Sequence, residues 1–241
     1  MNGCIVLFGI TRGKAKECSE SLNDCILQQL RKANIKYKIY LHSFEVSHVN
    51  SSRSKENKIK VKDLKDWRLF NPNFFSSDNQ NEFDLNIDFN KFIKGKTDAW
   101  NTGHENTKNL IRQLFSLQKS FNLIKGNFDF VFFSRLDLLY KDNKGLIESI
   151  EDVVKNPKTN ILYTPRWNRS GGLNDRIAIC NHEVAKAYSD RINYLIDILT
   201  SIKVIHSEQL LLKLSNFNKF ENKYFPFYAS RIRADGRIEK N

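Results

Sequence analysis

Two charged residues that follow an apolar run are the first candidates for chemistry in this sequence. Residues 128–133 read FDFVFF and the next seven read SRLDLLY, so Arg135 and Asp137 stand two positions apart just after the run. Because side chains alternate along a strand, these two side chains should point the same way. An arginine can bind a phosphate, and a carboxylate can bind a metal ion or a sugar hydroxyl. The alternative interpretation is a structural Arg–Asp pair that closes the end of the strand.

A turn after the first predicted strand offers a second cation. Residues 9–13 read GITRG, so glycines flank Arg12 and the backbone can approach a ligand that the guanidinium contacts. The turn has neither the GxGxxG pattern of dinucleotide-binding proteins nor the lysine of a P-loop, so an ordinary strand–helix turn stays an alternative. His42 ends the second predicted strand and is a further polar candidate.

A loop with paired glycines lies between residues 165 and 180. Gly171 and Gly172 permit close backbone approach, and Asp175 stands at the entrance of the next predicted strand. There Asp175 could hold a hydroxyl or act as a base. The alternative is a tight turn that Asp175 caps.

Charged residues also occur near two later elements. Ser207 precedes a leucine-rich helix and is predicted to be its N-cap, which places Glu208 in the first turn. The helix dipole alone would favour a carboxylate there. Arg231 and Arg233 follow the last predicted strand and are spaced to let two arginines face one ligand, although a basic tail can also be merely solvated.

Composition limits the class of protein. The chain has 241 residues and 40% hydrophobic content, enough for one substantial core, and a single domain is predicted. Its 39 Lys and Arg against 27 Asp and Glu give a formal net charge of +12, which suggests an anionic partner such as a nucleotide, a nucleic acid or a membrane surface. The four cysteines lack paired spacing, which argues against a zinc site or a disulfide framework and fits the cytoplasm. No transmembrane or signal segment is predicted.

Hydrophobic periodicity predicts the elements that must position these residues. Strands are expected at 4–8 and 36–41, and the clearest amphipathic helix, at 105–124, leads into the central apolar strand. The polar segment 45–101 contains many aromatics and is interpreted as an insertion that packs on the edge of the sheet. Later elements are a helix at 144–155, strands at 160–164 and 223–228, and a strand ending at residue 180 followed by a long helix.

In this order, the motifs resemble the GT-A class of nucleotide-sugar glycosyltransferases. The shared features are the glycine–arginine turn, the helix before an aromatic strand ending in Arg135-Leu136-Asp137, the Gly-Gly-x-Asn-Asp sequence of 171–175, and the late His-Ser-Glu-Gln of 206–209. More narrowly, the chain resembles small members from large DNA viruses, algae and bacterial polysaccharide clusters. The resemblance covers the chain outside 45–101 and implies an α/β, Rossmann-like fold with a mixed, mostly parallel sheet flanked by helices.

The resemblance implies transfer of a hexose or pentose from a UDP- or GDP-sugar to a hydroxyl of a glycan or another acceptor. It assigns 1–140 to the nucleotide-binding half and 141–241 to the acceptor half, with 45–101 as an acceptor-side lid. Asp175 or Glu208 would deprotonate the acceptor hydroxyl. The nucleotide and diphosphate would contact Gly9, Arg12, His42, Arg135, Asp137, Arg231 and Arg233, and the acceptor would contact Gly171, Gly172 and Asn174.

The acidic motif departs from that class. In such enzymes an Asp-x-Asp motif holds a divalent metal ion against the diphosphate, and here Arg135 replaces the first aspartate. Asp137 could still bind Mn²⁺ or Mg²⁺, with phosphate and water oxygens completing the coordination. Alternatively, Arg135 could supply part of the positive charge.

Two other classes of function stay open. A basic nucleic-acid-binding protein or nuclease fits the charge, but the sequence has no tight carboxylate cluster and its consecutive aromatics indicate a core strand, so no nucleic acid is expected as partner. A non-catalytic nucleotide-binding scaffold fits the loss of the first aspartate. The motifs do not distinguish the donor, the acceptor, inversion from retention, or the oligomeric state.

Overall fold

The computed structural model describes residues 1–61, 63–142 and 144–239. Strands and helices alternate along the chain. The elements up to residue 122 are β1 (Asn2–Gly9), α1 (Ala15–Leu22), a π-helical segment (Asn23–Leu27), α2 (Gln28–Lys32), β2 (Lys36–Glu45), β3 (His48–Ser51), β4 (Glu56–Lys60), a 3₁₀ helix (Asp66–Phe70), β5 (Phe74–Asn79), α3 (Gln80–Asn86), α4 (Asn90–Ile93), β6 (Thr97–Asp98) and α5 (Glu105–Asn122).

The same alternation continues in the rest of the chain. The elements after residue 122 are β7 (Phe130–Arg135), β8 (Leu138–Asp142), α6 (Leu146–Lys155), β9 (Ile161–Pro165), β10 (Ile177–Cys180), α7 (His182–Ser189), α8 (Arg191–Thr200), β11 (Val204–Ile205), α9 (Ser207–Phe217), β12 (Glu221–Phe225), β13 (Tyr228–Ile232) and β14 (Ile238–Glu239). Across the described ranges, no helix combines the length and the apolar character that crossing a bilayer requires.

A seven-stranded mixed sheet forms the centre of the fold, in the order β12-β9-β10-β7-β1-β2-β5. Four of its strand pairs are parallel, and only β10 runs antiparallel to both of its neighbours. The carboxyl ends of the other six strands therefore lie at one edge, together with the amino end of β10. This confirms the predicted α/β class with a mixed, mostly parallel sheet flanked by helices.

The central strands are buried on both faces, as their unbroken apolar sequences predict. In β7, Phe130 and Phe132 belong to one core cluster, whereas Val131 and Phe133 belong to the cluster on the opposite face. Residues of α1, α2 and α6 pack in the first cluster, and residues of α5, α7 and α9 pack in the second. Helices thus cover both faces, and the polar groups of β1, β2 and β7 are left for the strand ends.

The central apolar run forms two strands rather than one. β7 ends at Arg135, the chain turns at Leu136 and Asp137, and β8 then pairs with β13 in a separate three-stranded sheet. Backbone hydrogen bonds from Leu136 N to Phe8 O (3.1 Å) and from Ile232 N to Asp137 O (2.9 Å) hold the turn. Asp137 therefore lies between two sheets, and strand alternation does not set the direction of its side chain.

Other boundaries also differ from the predictions. Part of the 45–101 segment belongs to the main sheet, because β5 pairs in parallel with β2 as the edge strand. The last predicted strand divides at Pro226, which has no N–H to donate to a ladder. The helix after β10 is two helices, α7 and α8. At the start of α9 the N-cap position is taken by His206, so the prediction that Ser207 caps this helix is wrong.

Candidate active site

A cleft opens at the edge of the sheet where β1, β2 and β7 end. Gly9, Phe44 and Arg135 bring the ends of these three strands to its wall, and Asp175 comes from the segment before β10. The rest of the wall comes from the first half of α5, the loop after β11 and the segment around β13. The space inside, counted to its open mouth, is about 1020 Å³. Carboxyl ends of parallel strands are the usual ligand-binding edge of an α/β sheet.

Arginines dominate the wall of this cleft. Among the described residues the wall contains seven arginines, whereas Asp175 is its one carboxylate. All four arginines predicted to bind a nucleotide are present, together with three that the sequence did not single out. The seven are Arg12, Arg53, Arg112, Arg135, Arg176, Arg231 and Arg233.

Three of these arginines surround Asp137, and we call the group the arginine cluster (Arg12, Arg135, Arg231 and Asp137). Arg135 donates from Nε to Asp137 Oδ1 (2.9 Å) and from Nη2 to Oδ2 (2.6 Å). The Nε atoms of Arg12 and Arg231 lie 3.1 and 3.4 Å from Asp137 Oδ2. Asp137 is 1% exposed. Burial alone would raise its pKa, but the three guanidinium charges hold it well below its ordinary range.

This donor set does not fit the metal ion that the resemblance implies. Both oxygens of Asp137 face guanidinium groups, and Arg135 puts a cation where a second carboxylate ligand would be needed. Mn²⁺ and Mg²⁺ require several oxygen ligands, and within the described ranges no three His, Cys, Asp or Glu side chains are grouped to hold an ion. Asp137 thus has the role of a structural counter-ion, as the alternative interpretation of the pair allowed.

A second buried carboxylate, Glu56, lies under the same wall. It accepts hydrogen bonds from Arg12 Nη1 (2.7 Å) and from the Ala234 backbone N (2.6 Å), and Arg233 Nη1 lies 3.5 Å away. Burial opposes its ionisation, but Arg12 and the other donors lower its pKa overall. Arg12 is therefore held between two carboxylates. Glu56 was not a sequence candidate, because it stands in a lysine-rich stretch where nothing marks it.

Gln113 of α5 connects the arginine cluster to the opposite side of the cleft. Its Oε1 accepts from Arg135 Nη1 (3.0 Å), and its Nε2 donates to Asp175 Oδ2 (3.0 Å). Asp175 Oδ1 lies 3.4 Å from Arg176 Nη1 and has no hydrogen bond. Gln113 thus orients both the predicted phosphate-binding arginine and the predicted base, although its polar position on a helix carried no signal in the sequence.

The opposite side of the cleft, which we call the histidine wall, consists of Asp175, Arg176, His206 and Glu208. Glu208 is buried and accepts from Ser207 Oγ (2.7 Å) and Arg176 Nη1 (3.2 Å), while His206 Nδ1 lies 2.9 Å from its Oε2. Burial opposes ionisation, but His206 and Arg176 lower the pKa of Glu208 to about 2. His206 lines the cleft and Glu208 lies behind it, so the predicted base does not reach the open space.

His42 is also placed away from the cleft wall. It is 0% exposed, with Nδ1 2.8 Å from Ser116 Oγ and Nε2 3.1 Å from Asp78 Oδ2. Burial lowers its pKa to about 4. Ser116 Oγ also accepts from the Gly9 backbone N (2.8 Å), so His42 supports the turn after β1 from behind. A predicted direct contact between His42 and a nucleotide has no support in this position.

The three predicted acceptor-binding residues shape a loop and do not line the cleft. Asn174 is fully buried, donating to Trp167 O (2.9 Å) and accepting from Arg176 N (2.9 Å). Gly172 packs against the start of α9, where a Cβ would lie 2.0 Å from the carbonyl oxygen of Glu208. Gly171 beside it has a φ of +78°. This loop fixes Arg176 and the position of α9, and so acts on the histidine wall.

An aromatic ring stands at the cleft wall that no sequence motif indicated. Trp100 is 44% exposed, and the guanidinium of Arg53 lies 3.7 Å from the centre of its ring. The His206 ring is 5.9 Å from it, centre to centre. An accessible indole next to a cation offers a stacking surface for a sugar or a base.

No protein-family model matches the chain, and no curated protein matches it. Solved structures give remote likenesses. Mouse xyloside xylosyltransferase 1 in its apo form is 13% identical, with coverage of 93% of this chain and 85% of that one and a TM-score of 0.42. The galactosyltransferase LgtC in complex with donor and acceptor sugar analogues is 12% identical (93% and 73%, TM-score 0.43). The apo glycosyltransferase GlyE of Streptococcus pneumoniae is 14% identical (92% and 44%, TM-score 0.40). At these identities and TM-scores the likenesses carry no argument about what this chain does.

Proposed function

We propose that this protein is a glycosyltransferase that moves a sugar from a nucleotide-diphosphate donor to a hydroxyl acceptor. The observation that carries the proposal is the cleft at the carboxyl ends of β1, β2 and β7, with a fixed arginine cluster on one side and a carboxylate and an imidazole on the other. These are the groups that such a reaction needs: cations for a diphosphate and a proton acceptor for a hydroxyl. The order of sequence motifs resembles the GT-A class.

Arg231 is the group best placed to take a phosphate oxygen. Its Nε points to Asp137, and among the described residues no group accepts a hydrogen bond from its Nη1 or Nη2. Burial, and next the charge of Arg135, lower the pKa of Arg231 well below its ordinary value. An anion bound between these arginines would relieve that repulsion, so the cluster has a net demand for negative charge.

The arginine cluster supplies the electrostatic part of the proposed mechanism. When the bond between the anomeric carbon and the diphosphate oxygen breaks, negative charge develops on the leaving nucleoside diphosphate. Guanidinium groups already held by Asp137 and Glu56 need little reorganisation to stabilise that charge. A charged hydrogen bond of this kind contributes about 1.5–3 kcal/mol. We propose that this cluster does the work for which the Asp-x-Asp enzymes use a metal ion, with a UDP- or GDP-linked hexose or pentose as donor and a glycan as acceptor.

A non-catalytic nucleotide-binding scaffold is the second candidate. The closed pairing of Asp137 with Arg135 favours it, because a structural pair can persist without any reaction. The arginines lie in a cleft rather than on an open face, which does not favour a nucleic-acid strand as ligand.

We also propose 1–140 as the nucleotide half and 141–241 as the acceptor half, although Arg231 would bring the second half to the diphosphate. A cytoplasmic location is proposed because the four cysteines, all within the described residues, form no disulfide.

Thermal unfolding with UDP, GDP, ADP and CDP, each with Mn²⁺ and with EDTA, tests the proposal. A ligand that binds only the folded protein raises Tm by mass action. We expect one nucleotide to raise Tm by the same amount with Mn²⁺ and with EDTA. We also expect the protein to release that nucleoside diphosphate from its sugar conjugates when glycan acceptors are added. A Tm shift without release under any acceptor would indicate the scaffold. No shift with any nucleotide, and a salt-sensitive shift with RNA or DNA, would overturn the proposal.

A further inference from the structure

Among the residues that the structure describes, His206 provides the one imidazole on the wall of the cleft. It occupies the N-cap position of α9, directly after β11, which pairs with β6, so a paired strand and a helix flank its backbone. Its side chain is largely buried, with Trp100 beside the ring. Because the ring lines the cleft at the edge where β7 and β10 meet, it faces the space that a substrate would occupy.

The carboxylate of Glu208 lies next to one of the two ring nitrogens of His206. With Nδ1 of His206 2.9 Å from the Glu208 carboxylate, the tautomer carrying its proton on Nδ1 is favoured, which leaves the lone pair on Nε2. The two atoms are close but do not form a hydrogen bond in this structure, and catalytic hydrogen bonds often tighten only when substrate binds. Arg176 and Ser207 hold Glu208 in place and ionised. No described residue hydrogen-bonds Nε2 of His206, so this basic atom is left for a ligand.

The two carboxylates predicted as bases are worse placed. Asp175 accepts from Gln113 through Oδ2, and its Oδ1 lies 3.4 Å from Arg176 Nη1, so both of its oxygens are turned towards other groups of the protein. Glu208 is buried and is not part of the cleft wall, whereas His206 is. The geometry resembles the base-and-orienter arrangement of hydrolytic triads, in which a buried carboxylate orients a histidine that touches the reacting hydroxyl.

We propose that His206 is the general base of the transfer reaction and that Glu208 is its positioning residue, an assignment that rests on the proposed glycosyltransferase function. The proton of the acceptor O–H moves to His206 Nε2 as the acceptor oxygen forms its bond to the anomeric carbon. The bond from that carbon to the diphosphate oxygen breaks, and the nucleoside diphosphate leaves with the electron pair towards the arginine cluster. A base and a leaving group on opposite sides of the sugar require inversion of the anomeric centre.

The pH profile is one readout of this assignment. Only neutral imidazole accepts a proton, so kcat is expected to rise with pH as the ring loses its proton. Glu208 in α9 contacts the ring directly. The other charged groups of the neighbouring elements are Asp175 and Arg176 before β10, Arg53 in the hairpin of β3 and β4, and Asp98 in β6, which accepts from the backbone N of Trp100 and Thr102. His206→Gln should remove the rise, while Asp175→Asn should keep it.

The decisive experiment is kcat of His206→Ala with and without added imidazole, on a donor that the wild-type protein uses. We expect kcat to fall about 10²- to 10⁴-fold, with the KM for the donor nearly unchanged, and imidazole to restore part of the rate. Glu208→Gln should lower kcat about tenfold and leave the Tm shift by nucleoside diphosphate intact. That Tm shift also shows that each variant is folded.

The outcomes separate the two proposals. If the wild-type protein releases no nucleoside diphosphate from any sugar nucleotide, the proposed function itself is wrong. If the wild type is active and His206→Ala keeps kcat within about threefold, or is slow without rescue by imidazole, His206 is not the base. A product with retained anomeric configuration, read by NMR, would also overturn the inference while leaving the glycosyltransferase function in place.

Discussion

The arginine cluster and the histidine wall use the same types of residue in opposite ways. In the cluster, three arginines surround a carboxylate that is 1% exposed, and both of its oxygens have partners. In the histidine wall, the buried atoms Asp175 Oδ1 and His206 Nδ1 have no hydrogen-bond partner. A carboxylate with both oxygens engaged holds the positive charge of the arginines in place, whereas the unpaired atoms of the histidine wall can exchange protons. The comparison therefore divides the cleft into a side that holds charge and a side to which we assign the proton transfer.

The strongest test of this division is Asp137→Ala. It would leave three clustered guanidinium groups without their counter-ion, so we expect the free energy of unfolding to fall by about 3–5 kcal/mol. This differs from what a strand-end ligand would show, since such a residue could be removed with the fold intact. Urea denaturation measures the change. The exposed Asp235→Ala, which also loses an arginine partner, should cost less than about 1 kcal/mol. A similarly small loss for Asp137→Ala would end the comparison.

His42, which supports the turn after β1, and Asp137 in the arginine cluster should lose their contributions to stability at different pH values. The folded-state pKa of His42 is about 4 against an ordinary 6.5, so between these values the unfolded chain binds a proton that the folded one does not. Stability is then full above pH 6.5 and falls by roughly 3 kcal/mol as pH drops to 4. The contribution of Asp137 is lost only at lower pH, since its pKa is depressed from 3.8.

Denaturation curves from pH 7 to pH 4 measure this slope, and His42→Asn should flatten it. His182 is a matched comparison, because burial lowers its pKa as well but its side chain is only partly buried. His182→Asn should keep most of the slope. If the two variants change the slope equally, His42 is not the main acid-sensitive support of the turn after β1.

The charge-holding side should also depend on the shape of its cations. Arg231→Lys keeps the positive charge but loses the planar pair of terminal nitrogens, so we expect the Kd for the nucleoside diphosphate to rise about tenfold. Isothermal titration measures the Kd, in EDTA. Arg31→Lys, at an exposed site in α2, should change nothing. An unchanged Kd for Arg231→Lys would mean that the anion binds elsewhere.

A smaller effect is expected at the cleft mouth. Trp100→Ala removes the indole that Arg53 stacks on, and a lost stacking contact should raise the KM of one substrate about threefold while kcat stays the same. Trp100→Phe keeps a smaller ring and should lie between the two. Initial rates with donor and acceptor varied in turn identify which substrate stacks there. A change in kcat alone would instead link Trp100 to its neighbour His206.

The sequence predicted the parts of the fold that local patterns control. Apolar continuity identified β1 and β7, and period-3.6 spacing identified α5, because burial of one face or both leaves a mark within a few residues. The charged strand ends also identified Arg12, Arg135 and Asp175 as residues of one cleft. The carboxyl ends of parallel strands always lie at one edge of their sheet, so the shared location of these residues could be inferred without knowing any side-chain contact.

The pairings within the cleft could not be predicted, because they join distant parts of the chain. Glu56 contacts Arg12 across 44 residues and Arg233 across 177, and nothing in a single sequence relates these positions. Gln113 could not be predicted either, because its partners Arg135 and Asp175 lie 22 and 62 residues away along the chain. The sequence predicts Asp137 as a ligand because nothing local indicates its burial. Asp137 is buried in a turn between two sheets, and that turn depends on the pairing of β8 with β13. His206 was named only as part of a motif, since its access to the cleft depends on where Glu208 lies.

Gly172 shows how evolution of the reacting side would be constrained. It offers no atom to a substrate, yet any replacement would put a Cβ 2.0 Å from the Glu208 carbonyl oxygen and push the start of α9, and His206 with it. If His206 is the base that we propose, we expect natural variation at this codon to be penalised through its effect on the position of His206. The backbone of α9 fills the position that a Cβ would take, so we expect selection to keep glycine at a site that contributes no side chain.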